Sequence, residues 1–412
     1  MASVARKNLF EDIPRFLVAQ AGIMFAVSLV TIQTGILNGF SRSTSALIDD
    51  SEVDIWVSAE EMVNLQLTLP IPAATVSEIH AMDGVEQAEA FISRTTTWRS
   101  PTGDIAPVQM IGFDPASRMF RMGQLTEGAI ANLQEPYTVI PDRANLGALG
   151  LDEVGQSASI NSLPVTITGF TRGTQSIASS AYVFASLRTA NAYLNSGLTT
   201  TSNCQLEGDR LTCSNMFERD ASDIALDPPR ALRGSDGITF VMVKAQPGQD
   251  LNVLSRRIEA EFDGMVAHTQ TELSTLTRNY WVGSTGIGFV LGLGAGVGVV
   301  VGVVIVSQIL YASVVDHMKE FGTLKAMGAS DWMIYRIIIE QALWMAILGY
   351  IPSIALCGGL GWWTFATQGI TILITPGTAV VVLGITVGMC VVSALFAIQK
   401  VTHVDPAIVF KA

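Results

Sequence analysis

The sequence predicts a membrane α-helical protein with four transmembrane helices and a large exported α+β domain. That domain reads as a discontinuous α/β lobe with a β-rich lobe inserted. Three observations predict this class. Of 412 residues, 49% are hydrophobic and only 15% charged, against about 25% charged in a soluble globular chain, and mean hydropathy is +0.41. Charge is absent from residues 16–41, 279–315 and 341–399, and a helix needs about 20 apolar residues to cross the hydrocarbon layer. Residues 42–278 hold 16 Arg/Lys and 29 Asp/Glu, a net of −13, whereas the rest of the chain holds 8 and 7, a net of +1. The acidic segment is long enough to fold around its own core. The overall charge of −12 argues against a nucleic-acid binder, which needs a basic face.

The elements follow in order. Residues 1–15 contain ARKNLFEDIPRF, an amphipathic segment expected to lie as a helix along the cytoplasmic membrane surface. Residues 16–40 form the first span. This stretch is too long for a cleaved signal peptide and lacks a small-residue cleavage site, so it reads as a retained anchor. The exported domain covers 41–279. Its first lobe takes in about 50–114 and 236–275, with strands at 52–58, 85–100, 105–114, 237–245 and 265–273 and helices at 74–85 and 250–262. The two flanks look like mirrored strand–helix–strand units. The inserted lobe, about 115–235, has short β-like pieces (YTVIP, ASINSLPVTITGF, AYVFAS) broken by Gly, Asn, Pro and Ser, and a polar stretch at 196–236 expected to be a long loop. The second span covers 280–311, and a charged loop follows at 312–340. The last uncharged stretch is too long for one helix, and ITPGT at 374–378 supplies a Pro-Gly break. It divides into spans at 341–367 and 378–398, followed by a tail at 399–412.

Basic residues set the orientation. Arg6, Lys7 and Arg15, then Lys319, Lys325 and Arg336, then Lys400 and Lys411 fall on one side of four crossings, which should be the cytoplasm. The acidic domain then faces outward. Cys357 and Cys390 sit in spans and read as small apolar residues. Cys204 and Cys213 sit in the exported domain, where a disulfide would suit an oxidising compartment. Two free thiols are the other reading of that pair.

Several chemistries are absent from the sequence. It has no G-x-x-x-x-G-K-[ST] phosphate loop and no G-x-S-x-G elbow. Its four histidines, His80, His268, His317 and His403, are far apart, so no metal site is expected. The spans carry no ionisable residue apart from Glu340 at one edge. Ion-coupled transporters need such groups at membrane depth. Energy for any movement of cargo must therefore come from elsewhere.

Two features stand out. Gly288, Gly292 and Gly296 recur every four residues, as do Gly294, Gly298 and Gly302. Such ridges let helices approach closely in lipid. They suit a homodimer interface or a sliding path edge, and equally packing within one chain. The second feature is DHMKEFGTLKAMGASDWMIYRIIIEQALW at 316–344. EFGTLKAM can form an amphipathic helix with Phe321, Leu324 and Met327 on one side. Gly328 is a helix stop, and Ser330 or Asp331 can cap the next helix. The segment reads either as an ordinary interfacial helix or as an apolar knob that docks in a groove on a cytoplasmic partner.

KEFGTLKAMGAS at 319–330 resembles the coupling-helix motif of ABC transporter permeases of the MacB/FtsX/LolC type. Those permeases have one span, a large periplasmic domain and three further spans. THVDPAIVFKA at 402–412 resembles their closing tail. RFLVAQAGIMFAV, TSALIDDSEVDIWV, VSQILYASVVDHMKEFGTLKAMGAS and CVVSALFAIQKVTHVDPAIVF are similar to the DevC branch. The resemblance implies a non-catalytic permease subunit in the inner membrane of a Gram-negative-type bacterium, with both termini cytoplasmic. It holds no cofactor; ATP and Mg are bound by a separate cytoplasmic ATPase dimer. A second copy of the chain, a HlyD-like periplasmic adaptor and a TolC-like outer-membrane channel complete the expected partners, with an amphiphilic or lipid-like substrate expelled from the periplasmic side. An FtsX-like signalling permease or a LolC-like lipoprotein-release permease is the alternative. Glu320, Phe321, Leu324, Lys325, Ala326, Met327, Gly328 and Ala329 are the ATPase contact that the motif implies, with the apolar side chains filling the partner's groove.

Overall fold

The computed structural model describes residues 13–161, 163–174, 179–195, 203–207, 210–214, 228–368 and 372–402. The chain divides into two compact units, 40–284 and 1–39 with 285–412, and each is described by itself. The first element, α1 (Ile13–Asp49), contributes to both units. The amphipathic segment expected at 1–15 and the tail expected at 399–412 lie almost wholly outside the described residues.

The 40–284 unit is built on a nine-stranded mixed sheet. Its elements run β1 (Ile55–Ala59), β2 (Ile71–Pro72), α2 (Ala74–His80), β3 (Val85–Arg99), β4 (Ile105–Phe113), β5 (Gln124–Gly128), β6 (Thr138–Pro141), α3 (Leu146–Leu149), β7 (Ser157–Ile160), β8 (Leu163–Ile167), β9 (Gly169–Arg172), β10 (Ala181–Ser186), α4 (Leu187–Asn195), β11 (Asn203–Glu207), β12 (Arg210–Ser214), β13 (Gly237–Ile238), β14 (Phe240–Ala245), α5 (Leu251–Glu261), β15 (Met265–Thr269) and α6 (Gln270–Ser284). The strand order is β15-β1-β14-β3-β4-β10-β6-β8-β7.

β3 joins the two lobes. Its first half pairs with β14, Phe91 opposite Phe240. Its second half pairs with β4, from Ile92↔Gly112 to Arg99↔Ile105, and its end also meets β7, Trp98 opposite Ile160. Strands β3, β4, β10, β6, β8 and β7 thereby close on themselves, which removes exposed sheet edges. The expected lobe boundary at 114 moves back accordingly. The second half of β3 and all of β4 are walls of the β-rich lobe, because a closed ring needs them as neighbours of β10 and β7.

Every residue of β1 is buried, Ser58 included, so both of its faces lie against a core although the sequence around it alternates apolar and polar. Ile55 and Val57 join a core with Ile79 of α2 and Leu254 and Ile258 of α5. Trp56, between them in sequence, joins the opposite core with Phe91, Phe120, Phe240 and Met242. There Trp56 meets Phe91 edge-on at a centroid distance of 5.3 Å and Phe240 at 5.7 Å, the geometry that aromatic quadrupoles favour.

Most expected elements fall where the sequence places them. The strand expected at 265–273 is shorter: it ends at Thr269, and residues 270–284 form α6. Glu272 in its first turn accepts from the Thr269 backbone N–H and hydroxyl, both at 2.9 Å, which starts a helix where alternation alone suggests a strand. Within the 196–236 stretch, β11 and β12 pair with Cys204 opposite Cys213. The side chains of that pair lie outside the described residues.

Among the described residues, four helices are long and apolar enough to cross a membrane. Besides α1 they are α7 (Ile287–Asp316), α9 (Asp331–Gln368) and α10 (Pro376–Thr402), with the short α8 (Met318–Ala326) between the second and third. The second long helix starts at 287 rather than 280 because Gly286 takes φ +65°, a left-handed conformation that ends the preceding helix. Pro376 opens α10 as its first residue, where the missing N–H costs nothing. Ile23, Ala26, Val306, Leu310, Ile338, Met345 and Ala394 share one core. Polar side chains cross between helices: Tyr350 Oη donates to the Ala379 carbonyl at 2.7 Å and Ser393 Oγ to the Val303 carbonyl at 3.0 Å. Cys357 and Cys390 are buried free thiols.

Asp236 fastens the segment that returns to β13. Its carboxylate accepts two bonds from Arg230, at 2.6 and 2.8 Å, one from the Arg233 backbone N–H at 2.7 Å and one from Asn191 Nδ2 at 3.2 Å. Chiefly through the Arg230 hydrogen bonds, its pKa drops from 3.8 to about 2. A lowered folded-state pKa gives stability that is present above the unfolded value and lost as pH falls through the folded one. Unfolding midpoints of the wild type and Asp236→Asn should therefore differ most above about pH 4 and converge as pH approaches about 2. A gap independent of pH would show that the charge of Asp236 does not carry the effect.

Candidate coupling site

The charged loop expected between the second and third spans is a short helix between two turns. α7 ends at Asp316, His317 links the helices, and α8 runs from Met318 to Ala326. α8 closes with a Schellman arrangement. The Ala329 N–H bonds the Leu324 carbonyl at 3.0 Å and the Gly328 N–H bonds the Lys325 carbonyl at 2.9 Å. Gly328 takes φ +92° with nothing near its missing Cβ. Its glycine identity is therefore a backbone requirement, not a matter of space.

Across the turn, Lys325 Nζ pairs with Asp331 Oδ1 at 2.8 Å. Lys325 stands in the last turn of α8 and Asp331 in the first turn of α9. Each charge complements the helix end it occupies, so one ion pair pins the exit of one helix to the entry of the next. Glu320, in the first turn of α8, is favourably placed for the same reason and is exposed.

The apolar residues of this segment divide between two directions. Phe321 is 4% exposed and belongs to the core formed by Val314, Ile334 and Ile338. Leu324 packs partly buried against the same core. Met327 is 72% exposed, and Ala329 is partly buried beside the exposed Gly328. The side chain of Ala326 lies outside the described residues. The expectation that all the apolar side chains fill a partner's groove is thus corrected for Phe321 and Leu324. Their i, i+3 spacing marks an apolar face, and it joins the core to which α7 and α9 of the same chain contribute. Sequence reasoning passed over Trp332, which is also 72% exposed. Its signal was a large aromatic one residue beyond the cap and outside the apolar period.

The two glycine ridges of α7 separate likewise. A Cβ on Gly298 would lie 3.1 Å from Leu29 Cδ2, and one on Gly302 would lie 2.8 Å from Ala26 Cβ and overlap the Met389 sulfur. Gly294 stands directly against the Gln33 amide. This ridge packs within the chain. Gly292 and Gly296 have nothing within 4 Å of a built Cβ, and Gly288 is partly buried. Of the two readings, packing within the chain holds for Gly294, Gly298 and Gly302, while Gly292 and Gly296 are free to meet another surface.

Among the described residues, no group of three or more His, Cys, Asp or Glu is placed to hold a metal ion. The chain thus presents a membrane-helix unit with a firmly held helix between two spans, and a separately folded α/β unit. That is the layout of a transport-system permease subunit. Residues 16–261 match the MacB-like periplasmic core domain and residues 286–406 the FtsX-like permease C-terminal domain. The chain belongs to the MacB/FtsX family of ABC permeases, and its 40–284 unit is the family's periplasmic domain. It is similar to the periplasmic region of MacB from Actinobacillus actinomycetemcomitans, at 10% identity over 56% of this chain and 96% of that one, with a TM-score of 0.36. It is also similar to the extracellular domain of the noncanonic ABC-type transporter YknZ from Gram-positive bacteria, at 10% identity over 52% of this chain and 98% of that one, with a TM-score of 0.33. No curated protein sequence matches the chain.

Gly302→Val should destabilise the helical unit by about 1–3 kcal/mol through overpacking, whereas Gly296→Val should leave thermal unfolding of the detergent-solubilised chain within about 0.5 kcal/mol of wild type. Equal losses from the two would contradict the division between the ridges.

Proposed function

We propose that this chain is the permease subunit of an ATP-driven exporter. It couples hydrolysis on a separate cytoplasmic ATPase dimer, which binds the ATP and Mg, to motion of its own periplasmic domain. The observation that carries this reading is the pair of large apolar side chains, Met327 and Trp332, both 72% exposed beside a turn held by the Lys325–Asp331 ion pair and the Gly328 cap. Exposed apolar residues on a firmly held turn are what a groove-docking contact needs, because little ordering remains to be done on binding. Phe321 and Leu324 act from inside: they root the helix in the spans, so a push on Met327 or Trp332 is passed to α7 and α9.

The uncharged spans favour the same reading, since they lack the carboxylates and basic groups that proton-coupled transport uses at membrane depth. In this account the substrate is amphiphilic or lipid-like and leaves through a HlyD-like adaptor and a TolC-like outer-membrane channel, as the DevC-like stretches imply. Two copies of the chain meet, with the Gly292–Gly296 face available for the contact. Both termini and α8 face the cytoplasm.

Reconstituted with its ATPase, Met327→Asp or Trp332→Ala should lower the chain's stimulation of hydrolysis about tenfold or more, as loss of an interface anchor does. Its thermal unfolding should stay within about 0.5 kcal/mol of wild type. Full stimulation by both variants would remove the docking role. Co-purification of an envelope hydrolase in place of an adaptor and channel would transfer the same mechanics to signalling.

A further inference from the structure

The chain passes into the sheet of the 40–284 unit and out of it along two helices, residues 40–49 of α1 and all of α6. α6 carries Gln270, Ser274 and Arg278 at i, i+4 and i+8, one face of a helix. All three engage the end of α1. Gln270 Nε2 donates to the Ile48 carbonyl at 2.8 Å, the Ser51 carbonyl at 2.9 Å and the Asp49 carbonyl at 3.3 Å. The Ile48 carbonyl also accepts from the Ser51 hydroxyl at 2.7 Å, so Gln270 adds a bond from the other helix to the turn that ends α1. Ser274 Oγ donates to Asp49 Oδ1 at 2.6 Å. Arg278 pairs with Asp49 Oδ2 and donates from Nε to Ser45 Oγ at 2.7 Å. Ser45 Oγ in turn donates to Asp49 Oδ2 at 2.8 Å.

Asp49 is poorly placed for α1 alone. It is the last residue of a 37-residue helix whose final turn holds no basic side chain, and a negative charge at a helix C-terminus opposes the macrodipole. Its partners lie on the other helix and on Ser45. The cluster also sits where β1 and β15 pair, Ile55 opposite Thr269, and the Gln270 N–H bonds the Asp54 carbonyl at 3.0 Å. The two helices and the two strands that continue them are therefore fastened at one place.

We infer that Asp49 and Arg278 are positioning residues that bind these helices into one moving part, so that displacement arriving along α1 reaches β1 and β15 together. The inference rests on the permease reading above, but its first test does not. Hydrogen exchange on the full chain should show the amides of 45–51 and of 270–278 speeding up together, by about tenfold, in Arg278→Ala, a loss of about 1.4 kcal/mol, with the β3 and β4 amides unchanged. The exchanged pair Asp49→Arg with Arg278→Asp should restore the slow rates. In the reconstituted complex, Arg278→Ala should lower the stimulation of hydrolysis about fivefold or more, and the exchanged pair should recover it. Acceleration of one helix only, or no recovery by the exchanged pair, would overturn the inference. A wild-type chain that stimulates no ATPase would instead sink the permease reading, and the exchange rates would still decide on the clamp.

Discussion

Gly302 of α7 stands against Ala26 of α1 and Met389 of α10 with no room for a methyl group. In lipid the helices gain little from hydrophobic transfer against one another, so contact of this closeness supplies much of what holds them. Gly298 against Leu29 extends the same seam, and Gly349 of α9 comes equally close to Ile23 of α1. α1 thus closes against α7 and α9 at these glycines, while α10 packs along both α7 and α9. With α7 and α9 fixed, Val314, Ile334 and Ile338 form the pocket that receives Phe321, and α8 acquires one orientation.

That orientation decides what the short helix can do. A free amphipathic helix would turn its apolar face to whatever offered burial. Here Phe321 and Leu324 are already taken, the Gly328 cap ends the helix at a set place, and the Lys325–Asp331 pair joins it to α9. Ion pairs open to solvent on one side contribute little to stability, but this one joins the end of α8 to the start of α9, between Met327 and Trp332 in sequence. The uncharged stretches 16–41, 279–315 and 341–399 carry no Asp, Glu, Lys or Arg.

Much of the architecture was legible in the sequence. Three charge-free stretches marked where the spans lie because the hydrocarbon layer excludes charge, and the Pro-Gly break at 374–378 divided the last of them before α10. Strands β1, β3, β4 and β14 were readable from composition and length. What escaped was set by partners distant in sequence. The lobe boundary moved because β3 is long enough to serve two sets of neighbours, which no local pattern reports. The helix α6 was hidden by an alternating start that the Thr269–Glu272 contacts override. At the candidate coupling site, the motif located the segment, and Gly328 stops the helix as its chemistry suggests. The direction of Phe321, by contrast, depends on the arrangement of α7 and α9 around it, and the two glycine ridges differ only in what lies opposite them.

The most direct measurement places a photo-activatable cross-linking residue at 327, 332 or 302 of the full chain in its native membrane. If α8 is the point of mechanical input, positions 327 and 332 give an adduct with a nucleotide-binding ATPase subunit, and position 302, against α1 and α10, gives none. Adducts with lipid alone from 327 and 332 would contradict the account.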